Sequence, residues 1–87
     1  MHEASLMTSL LGRIDAVAKG EQARRVTSVS VWIGALSHMS AEHFTGHFQH
    51  AAAGTMAEGA RLNLTVSGDI GHANAQDILL ESVEVEV

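Results

Sequence analysis

The groups with the clearest capacity for chemistry lie at the start of the chain, in Met1, His2 and Glu3. The α-amine of Met1 and the amide and imidazole of His2 can close two fused chelate rings on one metal ion, and the Glu3 amide can add a fourth nitrogen in the same plane. Square-planar nitrogen sites suit Ni(II) and Cu(II) rather than zinc, calcium or magnesium. The triplet therefore predicts a nickel or copper site that requires a free amino terminus, with Met1 retained before the bulky His2.

Three further histidines, His43, His47 and His50, follow one flank of a predicted helix at spacings i, i+4 and i+7. Two histidines four residues apart can chelate one divalent ion, and a third one turn later can assist. No His-Glu-x-x-His motif is present, so the spacing predicts a secondary, weaker metal site rather than a zinc enzyme. The alternative is that these are ordinary surface histidines. His38 and His72 fall in predicted loops and are assigned no role.

Composition restricts the classes of protein to which this chain can belong. Its 87 residues, 46% of them hydrophobic, predict one small domain. Five basic and ten acidic residues give a net charge of −5, which argues against a nucleic-acid partner. The sequence shows no membrane-spanning run and no secretion signal, so a cytoplasmic protein is expected. Cysteine is absent, which removes disulfides, thiol catalysis and every cysteine-ligated zinc or iron–sulfur site.

Hydrophobic periodicity predicts an α+β fold in the order α-β-α-β-β, with two helices packed on one face of a three-stranded sheet. Ser40 is the expected N-cap of the second helix. The last two strands are predicted to pair as an antiparallel hairpin. The predicted segments are a helix over 4–19, a strand over 26–33, a helix over about 41–53, a strand over 60–66 and a strand over 79–87.

Trp32 falls on the more polar face of the first predicted strand. Such a side chain is either partly exposed and covered by its neighbours, or it contacts a partner protein. The sequence leaves both interpretations open.

Taken together in this order, several motifs resemble the HypA/HybF family of nickel-insertion accessory proteins. The resemblance covers most of the chain. It rests on Met1-His2-Glu3 followed at once by a helix, Arg25-Val26-Thr27 opening a strand that ends at Ile33-Gly34, the block Gly54-Thr55-x-Ala57-Glu58-Gly59-Ala60-x-Leu62, and a terminal strand with Val83-Glu84-Val85.

The resemblance implies that nickel binds at the amino terminus, through the Met1 amine, the His2 amide and imidazole, and the Glu3 amide nitrogen. The Glu3 side chain would then orient or gate the site rather than ligate the ion. Members of the family deliver nickel to [NiFe]-hydrogenase, and in some organisms to urease. They work with the GTPase HypB and dock on the hydrogenase large subunit or its precursor.

This sequence departs from the family in one large respect. The family carries a zinc-ribbon lobe with two Cys-x-x-Cys pairs between the last two strands, where this chain has only Ser67 to Asp77 and no cysteine. Residues 1–87 are therefore expected to form a single nickel-binding-type domain without structural zinc, in which loop 67–77 replaces the lobe. Open sheet edges and the missing lobe make self-association an expected property.

Two functions are consistent with these features of the sequence. The first is a nickel-binding, metallochaperone-like accessory protein for [NiFe]-hydrogenase maturation. The second is a repurposed HypA-like interaction or assembly module, or a small structural subunit of a hydrogenase, in which metal binding is incidental or lost. An enzyme is not expected, because no acid–base pair or pocket can be assembled from the sequence.

Overall fold

The computed structural model describes residues 3–87, with side chains from residue 5 onward. Along the chain it contains helix α1, strand β1, helix α2 and strands β2 and β3, which confirms the predicted α+β class and element order. No helix in this described range is long and apolar enough to cross a membrane. The bounds are Glu3–Gly20 for α1, Arg25–Ile33 for β1, Ala41–Ala52 for α2, Arg61–Val66 for β2 and Ile78–Glu86 for β3.

Strand β1 lies at the centre of the three-stranded sheet, in the order β2-β1-β3. It runs parallel to β2, with Ser28 opposite Arg61, and antiparallel to β3, with Ser28 opposite Glu84. The predicted hairpin between the last two strands is therefore wrong. Val29, Val31 and the other inward residues of β1 are almost completely buried, because β1 has a neighbouring strand on each side and both helices on one face.

The segment between β2 and β3 makes this order feasible, because it crosses the end of β1 instead of turning back tightly. The Ser67 amide donates to the Ile33 carbonyl over 2.9 Å, and the Asp77 carbonyl accepts from the Gly34 amide over 2.9 Å. Two-stranded hairpins are normally closed by loops of about two to five residues. The longer connection from Ser67 to Asp77 instead takes the chain from one side of β1 to the other.

The hydrophobic core lies between the two helices and one face of the sheet. Burying a valine, isoleucine, leucine, phenylalanine or methionine side chain contributes about 1.5–3 kcal/mol, so this layer holds both helices in place. The opposite sheet face carries the polar side chains of β1, where the Asn63 amide donates to the Ser28 hydroxyl over 2.8 Å. The largest contributors to the core are Met7, Leu10, Ile14, Val26, Val29, Val31, Ile33, Phe44 and Phe48.

Local side-chain bonds fix both ends of α2. Ser40 is the N-cap, as predicted, and its hydroxyl accepts from the His43 amide over 3.0 Å. Beyond the helix, the Thr55 hydroxyl donates to the Ala52 carbonyl over 2.7 Å and accepts from the Ala57 amide over 3.1 Å. The Gly-Thr-x-Ala-Glu-Gly block is thus a turn that ends α2, and the Met56 carbonyl joins it to β1 by accepting from the Val26 amide.

We predict that Gly34→Ala destabilises the fold. An added Cβ would lie 2.7 Å from the carbonyl oxygen of Asn74 and would also collide with the backbone of Ala75. Relieving such an overlap costs about 1–3 kcal/mol, because the crossing segment must shift and strain its bonds to β1. Urea unfolding measures this change, and an unaltered midpoint would contradict the close approach of the two backbones.

The opposite result is expected for Gly46→Ala, which serves as the matched control. Gly46 lies in the interior of α2, and a Cβ there would meet nothing within 4 Å. Replacing a helix-interior glycine by alanine gains about 0.5–1 kcal/mol. The same unfolding measurement should show a raised midpoint, and a lowered one would mean that this helix face is not open.

Candidate functional site

The predicted metal-binding triplet lies at the start of α1. Met1 and His2 fall outside the described residues, and Glu3 is the first residue of the helix. The next turns are anchored firmly, since Met7 is 3% exposed and Leu10 is 4% exposed within the core. The triplet therefore continues directly into a helix whose position is fixed by packing.

A cavity of about 550 Å³ lies beside this end of α1. Its walls include Leu6 from α1, Met39 from the connection before α2, and Asp77 from the residues before β3. His38 also lines it and adopts a φ of 62°, in the left-handed region that non-glycine residues seldom occupy. The amino-terminal ends of α1 and α2 thus lie together, with imidazole, carboxylate and apolar groups around one cavity.

No role is predicted for His38 from the sequence, and its position in the structure explains why. His38 lies far from the triplet along the chain and reaches the cavity only through the packing of the two helices. Its neighbour Ser37 has a buried hydroxyl that has no hydrogen-bond partner among the described residues. No spacing rule within one helix or strand could have indicated either position.

The structure brings together two of the three histidines predicted on α2. The rings of His43 and His47 are stacked, with centroids 4.7 Å apart and planes inclined by 28°. His43 and His50 are exposed and His47 is half-buried. Within the described part of the chain, no group of three or more His, Cys, Asp or Glu side chains is arranged to hold a metal ion. The three-histidine secondary site therefore stays a prediction.

Trp32 is half-buried on the polar face of the sheet and has an aromatic neighbour. Its ring centroid lies 4.8 Å from that of His72, with the planes inclined by 44°. His72 belongs to the segment that crosses the end of β1. The tryptophan is thus partly covered from within the chain, and a partner contact through it stays a prediction.

The fold matches solved structures over nearly its whole length. The solution structure of the Ni metallochaperone HypA from Helicobacter pylori aligns with a TM-score of 0.81, covering 99% of this chain and 98% of that one. A second solution structure, of a HypA protein, aligns with a TM-score of 0.78. Sequence identity is 22% in both cases, so these alignments establish the shared fold.

Similarity in sequence is greater to several proteins named hydrogenase maturation factor HypA. The protein of Chlorobium limicola is 41% identical over 64 residues, which are 74% of this chain and 55% of that protein. The protein of Archaeoglobus fulgidus is 38% identical over 66 residues, which are 76% of this chain and 60% of that protein. This chain therefore aligns with little more than half the length of these relatives.

A family model also matches most of the chain in sequence. The model described as "Hydrogenase/urease nickel incorporation, metallochaperone, hypA" matches residues 1–71. This range begins at the Met1-His2-Glu3 triplet and ends within the segment that crosses β1. The chain belongs to the HypA family of hydrogenase and urease nickel-incorporation metallochaperones.

Proposed function

We propose that this chain is a nickel-binding, metallochaperone-like accessory protein for [NiFe]-hydrogenase maturation. The observation that carries the proposal is the family match over residues 1–71, which begins at an intact Met1-His2-Glu3. Nickel is the cargo in this account. The protein is a carrier that binds and releases the ion, and no catalytic step is assigned to it.

The chemistry of the triplet supports nickel as the cargo. The Met1 amine, the His2 amide and imidazole, and the Glu3 amide supply four nitrogens that can lie in one plane around Ni(II). The Glu3 carboxylate would orient or gate the ion rather than bind it. Since α1 starts at Glu3 and is fixed against the core, the ion would be held at a defined end of the domain.

We infer the partners from the family. The relatives of Chlorobium limicola and Archaeoglobus fulgidus are both named hydrogenase maturation factor HypA. By this relation, the protein that accepts the nickel is the hydrogenase large subunit or its precursor, and the GTPase HypB is a candidate partner. The 87 residues contain no cysteine, so a cysteine-ligated zinc lobe has no ligands in them. The nickel domain is proposed to act without that lobe.

The test is a Ni(II) titration of untagged protein that starts at Met1, beside His2→Ala. We expect the first and tightest nickel ion per chain to give a square-planar absorption band, because all four proposed donors are nitrogens. His2→Ala removes the imidazole that closes the second chelate ring, so affinity should fall by about 100-fold and the band should disappear. Calorimetry gives the stoichiometry and affinity, and absorption spectroscopy reports the geometry.

The matched control is His50→Ala, which removes an exposed histidine from α2 and leaves the triplet intact. It should keep both the affinity of the first nickel and the absorption band. A first nickel that binds His2→Ala as tightly as the parent protein would overturn the proposed site.

A further inference from the structure

The outer flank of α2 carries a pair of histidines that the amino-terminal site does not use. His43 and His47 lie one helical turn apart with their ring centroids at 4.7 Å. They flank the buried side of the helix, where Phe44 and Phe48 are 0% and 2% exposed. The two imidazoles are therefore held side by side on a helix that the core keeps in place.

The backbone beneath the pair is firmly held. The His43 amide donates to the Ser40 hydroxyl, and the Thr45 hydroxyl donates to the Ala41 carbonyl over 2.8 Å. The Ser40 bond satisfies an amide that the start of a helix otherwise leaves open, and it limits fraying of the first turn. Because this turn carries His43 and leads directly to His47, the backbone spacing of the two histidines is set by a stable piece of helix.

A shallow pocket of about 420 Å³ lies next to the pair, lined by Ser40, Glu42, His43, Gly46 and His47. Gly46 is exposed at its floor, and a Cβ there would meet no atom within 4 Å. Packing inside this chain therefore does not require a glycine at this position, although glycine weakens the helix by roughly 0.5–1 kcal/mol. The missing side chain leaves open space beside both imidazoles.

Two histidines at i and i+4 on one helix face can chelate a borderline divalent metal, and imidazole suits nickel, copper and zinc. In the stacked arrangement the in-plane lone pairs of the two rings run nearly parallel, so binding would turn the rings about their side-chain bonds until one nitrogen of each faces the ion. We propose that His43 and His47 form a two-ligand site for such an ion beside Gly46, separate from the amino-terminal triplet. Nickel as the ion in the cell rests on the function proposed above. His50 is not a ligand of this site.

A two-ligand site differs from the triplet in what it can do. Among the described residues, no group of three or more His, Cys, Asp or Glu side chains is arranged to hold a metal ion, so the remaining coordination positions stay open to water or to small chelators. Open positions make the ion weakly held and easily exchanged. The pair lies in the first two turns of α2. Met39, just before this helix, lines a common cavity with Leu6 of α1.

The experiment is a Ni(II) titration in the His2→Ala background, where the triplet site is already strongly weakened. We expect one weaker equivalent of nickel to remain, because both imidazoles of the pair are still present. Adding His43→Ala or His47→Ala should weaken that equivalent by about tenfold or more, since a single imidazole cannot chelate. Adding His50→Ala should leave it unchanged. Thermal unfolding of each variant by circular dichroism checks that the helix persists.

A second readout locates the ion directly. Nickel with open coordination positions is commonly paramagnetic, so amide NMR signals around His43 and His47 should broaden at the weaker equivalent. The proposal is overturned if no second equivalent exists, if it survives His43→Ala and His47→Ala, or if His50→Ala removes it. These outcomes differ from failure of the proposed function. That function is tested by whether His2→Ala lowers the affinity of the first nickel ion.

Discussion

The rest of the structure depends on the burial of strand β1. Val29, Val31 and Ile33 are 0% exposed, and both helices pack on the face that these residues form. The same strand bonds to β2 on one side and to β3 on the other. Helix α1 is held against this layer and starts at Glu3. The burial of β1 therefore also fixes the position at which α1 begins.

The turn after α2 and the segment after β2 both hold that central strand in place. Thr55 closes the end of the helix and Met56 bonds to the first part of β1, while Gly34 lets the crossing segment pass close to its other end. None of these residues supplies a metal ligand in our account. The Gly-Thr-x-Ala-Glu-Gly block therefore has a structural role, and we assign the proposed metal chemistry to histidines and to the amino terminus.

Much of this fold could be predicted from the sequence, because each helix and strand has a clear period. The spacing of Leu10 and Ile14 predicts the buried side of α1, and Ser40 marks the start of α2. The strand order could not be predicted in the same way. A period of two residues shows which face of a strand is buried, but it does not show which strand lies beside it. The hairpin prediction failed for that reason.

The candidate sites likewise include features that the sequence predicts and features that depend on packing. The chelating capacity of Met1-His2-Glu3 follows from covalent order alone, and the pairing of His43 with His47 follows from helical spacing. The position of His38 beside the start of α1 depends on how three separate segments pack, so sequence spacing carried no signal for it. The exclusion of His50 from the stacked pair likewise required side-chain geometry.

The most direct test of the central claim is a transfer measurement in which the α-amine of Met1 is blocked. Acetylation of this amine removes it as a nickel donor and changes no residue of the chain. Each protein is loaded with Ni(II) and mixed with nickel-free hydrogenase large-subunit precursor, and the nickel content of the re-isolated precursor is measured. We expect transfer from the native protein and little or none from the acetylated one. Equal transfer from both would contradict delivery through the amino-terminal site.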